Sequence, residues 1–67
     1  MLSISLEKEG TVETYRFEPV RQQVGRAVLM GVKVANLTDG EVVTERTYSL
    51  DGASALKKRL QSLGFRA

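Results

Sequence analysis

The 67-residue sequence contains no cysteine, no histidine and no tryptophan, a single proline, and only two tyrosines and two phenylalanines. Without cysteine there is no disulfide framework, no zinc knuckle and no thiol nucleophile, and the redox compartment leaves no mark on the chain. Without histidine the commonest general base is missing. The serines stand outside any G-x-S-x-G elbow, and the stretch from Gly25 to Lys33 misses the spacing of a phosphate-binding loop. Glu7, Glu9 and Glu13 flank a turn without calcium-loop spacing, so they read as solvated hairpin charges. These absences speak against an enzyme and supply no metal site and no cofactor. No apolar run approaches the roughly 20 residues of a membrane helix, and no basic segment leads into an apolar one. A cytoplasmic protein with no membrane partner is the expectation.

What the chain does contain is a modest charge excess, ten Lys or Arg against eight Asp or Glu, unevenly spread. Residues 1–18 carry Glu7, Glu9, Glu13 and Glu18 against Lys8 and Arg16, a balance of −2, and residues 19–50 come to +1. Residues 51–67 carry Lys57, Lys58, Arg59 and Arg66 against Asp51, a balance of +3. Such polarity can orient a molecule on a polyanion or match two subunits. A chain of this length forms one domain, residues 1–67, and buries only about 60% of the surface its unfolded form exposes. Association with a second copy is the natural remedy for so small a core.

Leu2, Ile4 and Leu6 alternate with Ser3, Ser5 and Glu7, the pattern of a half-buried strand. A turn at Lys8-Glu9-Gly10-Thr11 leads into a second strand, Val12 to Glu18. An even-length loop pairs Leu2 with Phe17 and Ile4 with Tyr15, which gathers aromatics and aliphatics on one face; an odd loop would split them. Pro19 is expected to end that strand for want of an amide hydrogen, with residues 19–26 forming a loop or a single helical turn. Residues 27–37 and 41–50 form a longer hairpin around Thr38-Asp39-Gly40. A three-residue loop there sets Lys33 opposite Glu45 and Arg46 opposite Val32, whereas a two-residue Asp-Gly turn would face Lys33 with Arg46. The three-residue loop is preferred.

A helix closes the chain, with Asp51 as N-cap, Ala53, Leu56, Leu60 and Leu63 as its apolar stripe, and Gly64 as the left-handed residue after its end. Phe65 then folds back on Leu60. The order ββ-loop-ββα gives an α+β fold, an antiparallel four-stranded sheet of two hairpins with one C-terminal helix. A helix of about 12 residues spans roughly 18 Å and a ten-residue strand roughly 33 Å, so one helix leaves part of the sheet bare. Arg46, on the inner face of the second hairpin, would need water or a partner there.

Cations interleaved with aromatics on a sheet are how single-stranded nucleic acid is held. From Arg26 onward the chain resembles the positive cofactor four family of transcriptional coactivators. The resemblance rests on Val28-Leu29-Met30-Gly31-Val32-Lys33, on Asp39-Gly40-Glu41, and on Tyr48-Ser49-Leu50 followed by a helix with Leu56-Lys57. It implies a homodimer paired through its helices that grips single-stranded DNA on an exposed sheet, with Lys33 and Arg46 as phosphate contacts. The layout is also similar to that of the small crenarchaeal chromatin proteins. The expected function is that of a small homodimeric nucleic-acid-binding protein with a role in transcription regulation. Arg16, Arg26, Lys33, Arg46, Tyr48, Lys57 and Lys58 are its candidate contacts for single-stranded DNA or RNA. The alternative is a non-enzymatic protein-interaction or regulatory subunit that docks a partner chain through its exposed sheet, using apolar residues such as Leu29 and Val43.

Overall fold

A computed structural model describes residues 3–67. It has four strands, β1 (Ile4–Glu7), β2 (Glu13–Val24), β3 (Ala27–Thr38) and β4 (Glu41–Ser49), followed by one helix, α1 (Leu50–Ser62). The strands form a single antiparallel sheet in the order β1-β2-β3-β4. This is the α+β architecture expected, one face carrying the helix and the other bare.

Side-chain alternation defines the two faces. Ile4, Leu6, Tyr15, Phe17, Pro19, Val32, Val34, Asn36, Arg46 and Tyr48 share the inner face, beneath α1, because they stand opposite one another in the ladders. Leu6, with no exposed surface at all, Phe17 and Val34 meet Ala53 and Leu60 of α1 and Phe65 beyond it in the core, with Tyr15, Val32, Tyr48 and Leu56 around them. In the first hairpin the register differs from expectation by two residues. Ile4 faces Phe17 and Leu6 faces Tyr15. The parity is the one anticipated, so the same residues face inward, but the shift seats Leu6 at the centre of the core. Leu2, anticipated opposite Phe17, lies outside the described residues.

The second hairpin closes through a two-residue turn, not the three-residue loop expected. Thr38 pairs with Glu41, and Asp39 (φ 53°) and Gly40 (φ 83°) both adopt the left-handed conformation of a type I′ turn. A bulge at Val43 then inserts one residue, since Leu37 pairs with Val42 and Asn36 with Thr44. The bulge restores the parity that the three-residue loop would have given, with partners two residues further along. Arg46 therefore stands opposite Val34, not Val32, and Lys33 opposite Thr47, not Glu45.

The largest departure concerns residues 19–26. Instead of a loop or helical turn, β2 continues through Pro19 to Val24, and β3 pairs with it in unbroken register from Val24↔Ala27 to Glu13↔Thr38. Pro19 does not end the strand because β1 pairs with β2 only over Thr14–Phe17, so β2 is an edge there, where proline is tolerated. Gly25, at φ 62°, allows the tight reversal. The result is a two-stranded arm projecting from the sheet, which draws the molecule out to 45 Å along its longest axis.

The helix starts two residues earlier than its expected cap, Asp51, implied. Ser49 is the N-cap, its Oγ accepting from the Gly52 amide at 3.0 Å, and Asp51 sits in the first turn where its charge suits the dipole. At the other end Gly64 (φ 101°) takes the left-handed position, the Phe65 amide donates to the Leu60 carbonyl at 3.0 Å, and the Gly64 amide donates to Gln61 at 3.1 Å. Phe65 is buried edge-on against Tyr15, ring centroids 5.1 Å apart. Arg66 and Glu7 exchange two backbone hydrogen bonds of 2.7 Å, so the C-terminal segment covers the free edge of β1.

Candidate nucleic-acid interface

The outer face of the sheet is the surface that α1 leaves open. By alternation it carries Ser5, Thr14, Arg16, Glu18, Val20, Leu29, Gly31, Lys33, Ala35, Glu45 and Thr47. Arg16 and Lys33 lie on it in neighbouring strands. Lys33 Nζ is 4.0 Å from Glu18 Oε2 on one side and 4.0 Å from Glu45 Oε1 on the other, with all three side chains between about a third and a half exposed. Glu18 stands directly opposite Lys33, and Glu45 reaches it diagonally. Pairs this long and this wet stabilise by well under 1 kcal/mol each. Lys33 is thus loosely held and free to trade a carboxylate for another anion. With Glu7 included, the outer face carries two cations against three carboxylates, while the whole chain is at +2. The positive excess therefore lies on the arm, with Arg21 and Arg26, and on the helix, with Lys57, Lys58 and Arg59 against Asp51.

The other candidates fall elsewhere. Arg26 forms part of the turn at the tip of the arm and is exposed. Arg46 and Tyr48 belong to the inner face; Arg46 is exposed, while Tyr48 is half-buried against the core. The exposure of Arg46 resolves the expected conflict of a guanidinium on that face, because its head stays in water. Lys57 lines a groove beside α1, and Lys58 is exposed on the helix. The structure thus brings Arg16 and Lys33 together on one open face and separates them from Arg46 and Tyr48. Tyr15, Phe17 and Tyr48 all point to the inner side and Phe65 is in the core, so no aromatic ring lies on the outer face.

Gly31 has a structural reason on this face. A Cβ there would come within 3.1 Å of the Tyr48 carbonyl oxygen and 3.3 Å of Thr47 Cγ2, so the outer surface is locally smooth where arm and sheet join.

Sequence reasoning missed the arm itself. Arg21, opposite Met30 on its inner face, and Val24 near its tip were assigned to a loop. The signal was available: Val20, Gln22 and Val24 alternate with Arg21 and Gln23, and Ala27 to Gly31 offers a matching partner strand across a Gly-containing turn. Leu29 and Val43, singled out from sequence as exposed apolar residues, are indeed exposed.

Hollows mark the surface, among them one of about 300 Å³ lined by Gln61, Phe65, Arg66 and Ala67. A groove of about 290 Å³ on the inner side is lined by Ile4, Phe17, Pro19, Val32, Leu50 and Lys57, among others. A larger one of about 610 Å³ lies between the β1–β2 turn and Arg66, with Lys8, Glu9 and Glu13 at its wall, mixed in charge and without a focused donor set. Among the described residues no cluster of three or more metal-ligating side chains occurs, and no helix is long and apolar enough to cross a membrane. Comparison with protein-family models, with curated proteins and with solved structures gave no match.

Proposed function

We propose that this protein is a homodimeric nucleic-acid-binding module that holds a single strand by its phosphates along the open outer face of the sheet. The observation that carries this reading is the bare four-stranded face on which Arg16 and Lys33 lie together. Lys33 is tethered there only by two carboxylates at 4.0 Å. Arg26 at the arm tip extends the track beyond the sheet. Since no aromatic ring faces that side, the grip is electrostatic and tolerant of sequence, in contrast to platforms that stack each base. Glu18 and Glu45 act as a brake, repelling phosphate and holding Lys33 in the absence of a strand.

The test is a fluorescence-anisotropy titration with a labelled single-stranded oligonucleotide over a range of salt. Each phosphate neutralised contributes about −0.7 to the slope of log K against log salt on a single strand. Lys33→Ala and Arg16→Ala should each flatten the slope by about that amount. Absence of binding by the wild-type protein at low salt would overturn the reading.

A further inference from the structure

The inner face of the arm is a second uncovered surface, unlike the first in chemistry. Every residue from Arg21 to Met30 is exposed, among them Val28 at 55% and Met30 at 45%, both on the inner side by register. On β3 Val28 and Met30 lead to Val32 and on into the groove bounded by Ile4, Pro19, Leu50 and Ala53, while β2 sets Gln23 and Arg21 opposite Val28 and Met30 on the same face. Leu50, at the groove's rim, is 56% exposed. The outer side of the arm is also apolar, with Val20, Val24, Ala27 and Leu29, but it leads to the charged Glu18–Lys33–Glu45 group and not to a groove.

The size of the bare surface indicates what covers it. The chain exposes 5171 Å² for a mass of 7.4 kDa. Folded monomers of that mass expose about 4,200 Å². The excess, on the order of 1,000 Å², matches the roughly 800 Å² that each partner contributes to a standard protein interface. The radius of gyration, 12.8 Å, likewise exceeds the roughly 10.9 Å of a compact chain of this length. The molecule carries both halves of a joint, a projecting ribbon whose β3 strand offers Val28 and Met30 and a largely apolar groove at its root. A two-fold exchange would occupy both at once and leave neither over, as an isologous contact requires.

We infer that two copies of this chain associate by exchanging arms, the inner face of each arm (Val28, Met30) lying in the groove of the other beside the start of its helix. This rests on the dimeric part of the function proposed above and specifies its surface. The arm, a two-stranded ribbon that is marginal by itself, gains a covering second layer, and the outer faces stay free for a ligand.

Size-exclusion chromatography with light scattering from about 1 to 100 μM, above the micromolar-to-picomolar range that interfaces of this size span, tests it. The wild type should be a dimer and Met30→Glu and Val28→Glu monomers, whereas Leu29→Glu, on the other side of the same arm, should remain dimeric. Circular dichroism establishes that each variant is folded. Residues 28 and 32 are about 13 Å apart along a strand, so Val28 of one copy is far from its own groove. Because the chain has no cysteine, Val28→Cys and Ser54→Cys proteins can be mixed under mild oxidation, and the mixed disulfide should dominate over either symmetric one. A wild-type monomer throughout would overturn the inference. A dimer broken by Leu29→Glu but not by Met30→Glu, or one giving only the Val28→Cys symmetric disulfide, would overturn the arm-in-groove contact. Nucleic-acid binding is read separately by anisotropy. Binding by a monomer removes this inference and leaves the phosphate-binding reading, while a dimer that binds no strand does the reverse.

Discussion

Removing the Phe65 ring should cost this protein much of its stability, although the residue lies beyond the end of the last regular element. Phe65 is 5% exposed and packs edge-on against Tyr15, and the backbone that follows it binds β1 through the two Arg66–Glu7 hydrogen bonds. Large-to-small substitution of a buried phenylalanine costs about 3–5 kcal/mol. A 67-residue domain has roughly 3–10 kcal/mol in all. Phe65→Ala should therefore be largely or wholly unfolded at 37 °C. Phe65→Leu retains most of the volume and loses the aromatic pair, worth about 0.5–1.5 kcal/mol. At about 4–8 °C per kcal/mol for domains this small, that is a drop in Tm of roughly 2–12 °C. Thermal and urea melts followed by far-UV circular dichroism, at one fixed protein concentration because association shifts the midpoint, provide the measurement. Leu63→Ala is the internal control: it sits two residues away, is 55% exposed, and should change stability by less than about 0.5 kcal/mol. If Phe65→Ala melts like the wild type, or if the two substitutions cost the same, the C-terminal lock described above is wrong.

Ser49→Ala should destabilise by about 1 kcal/mol through loss of the cap to the Gly52 amide, whereas Asp51→Ala should cost less, about 0.3–1 kcal/mol at low salt, and should lose its effect as salt is added; urea melts at two salt concentrations separate them. Gly31→Ala places a methyl 3.1 Å from the Tyr48 carbonyl oxygen and should cost about 1–3 kcal/mol as an overpacking change, seen as a lower urea midpoint. Glu18→Gln with Glu45→Gln removes both carboxylates from Lys33 and should strengthen oligonucleotide binding with a steeper salt dependence in the anisotropy titration, at a stability cost below about 1 kcal/mol. Unchanged or weaker binding would show that Lys33 is not a phosphate contact.

The amino-acid sequence by itself determined the α+β class, the turns at Gly10 and Asp39-Gly40, the helix with its Gly64–Phe65 ending, and which residues face inward in β1, in β2 as far as Glu18 and in β3. Each of these is a local matter, set by the conformations glycine permits and by alternation along a strand. Only the tertiary structure decided the registers. In both hairpins the actual pairing lies two residues from the expected one, in the second because a tighter turn is combined with a bulge at Val43. A slip of two leaves every side chain on its own face, so the hydrophobic pattern carries no information against it. The choice falls to packing, which puts Leu6 under α1. The arm was decided in the same way. Pro19 ends a central strand and is harmless in an edge strand, and whether β1 extends far enough to make it central is a property of the whole sheet. The split of the candidate cations, with Arg16 and Lys33 on the open face and Arg46 and Lys57 on the side of the helix, follows instead from alternation along the strands and from the placement of α1.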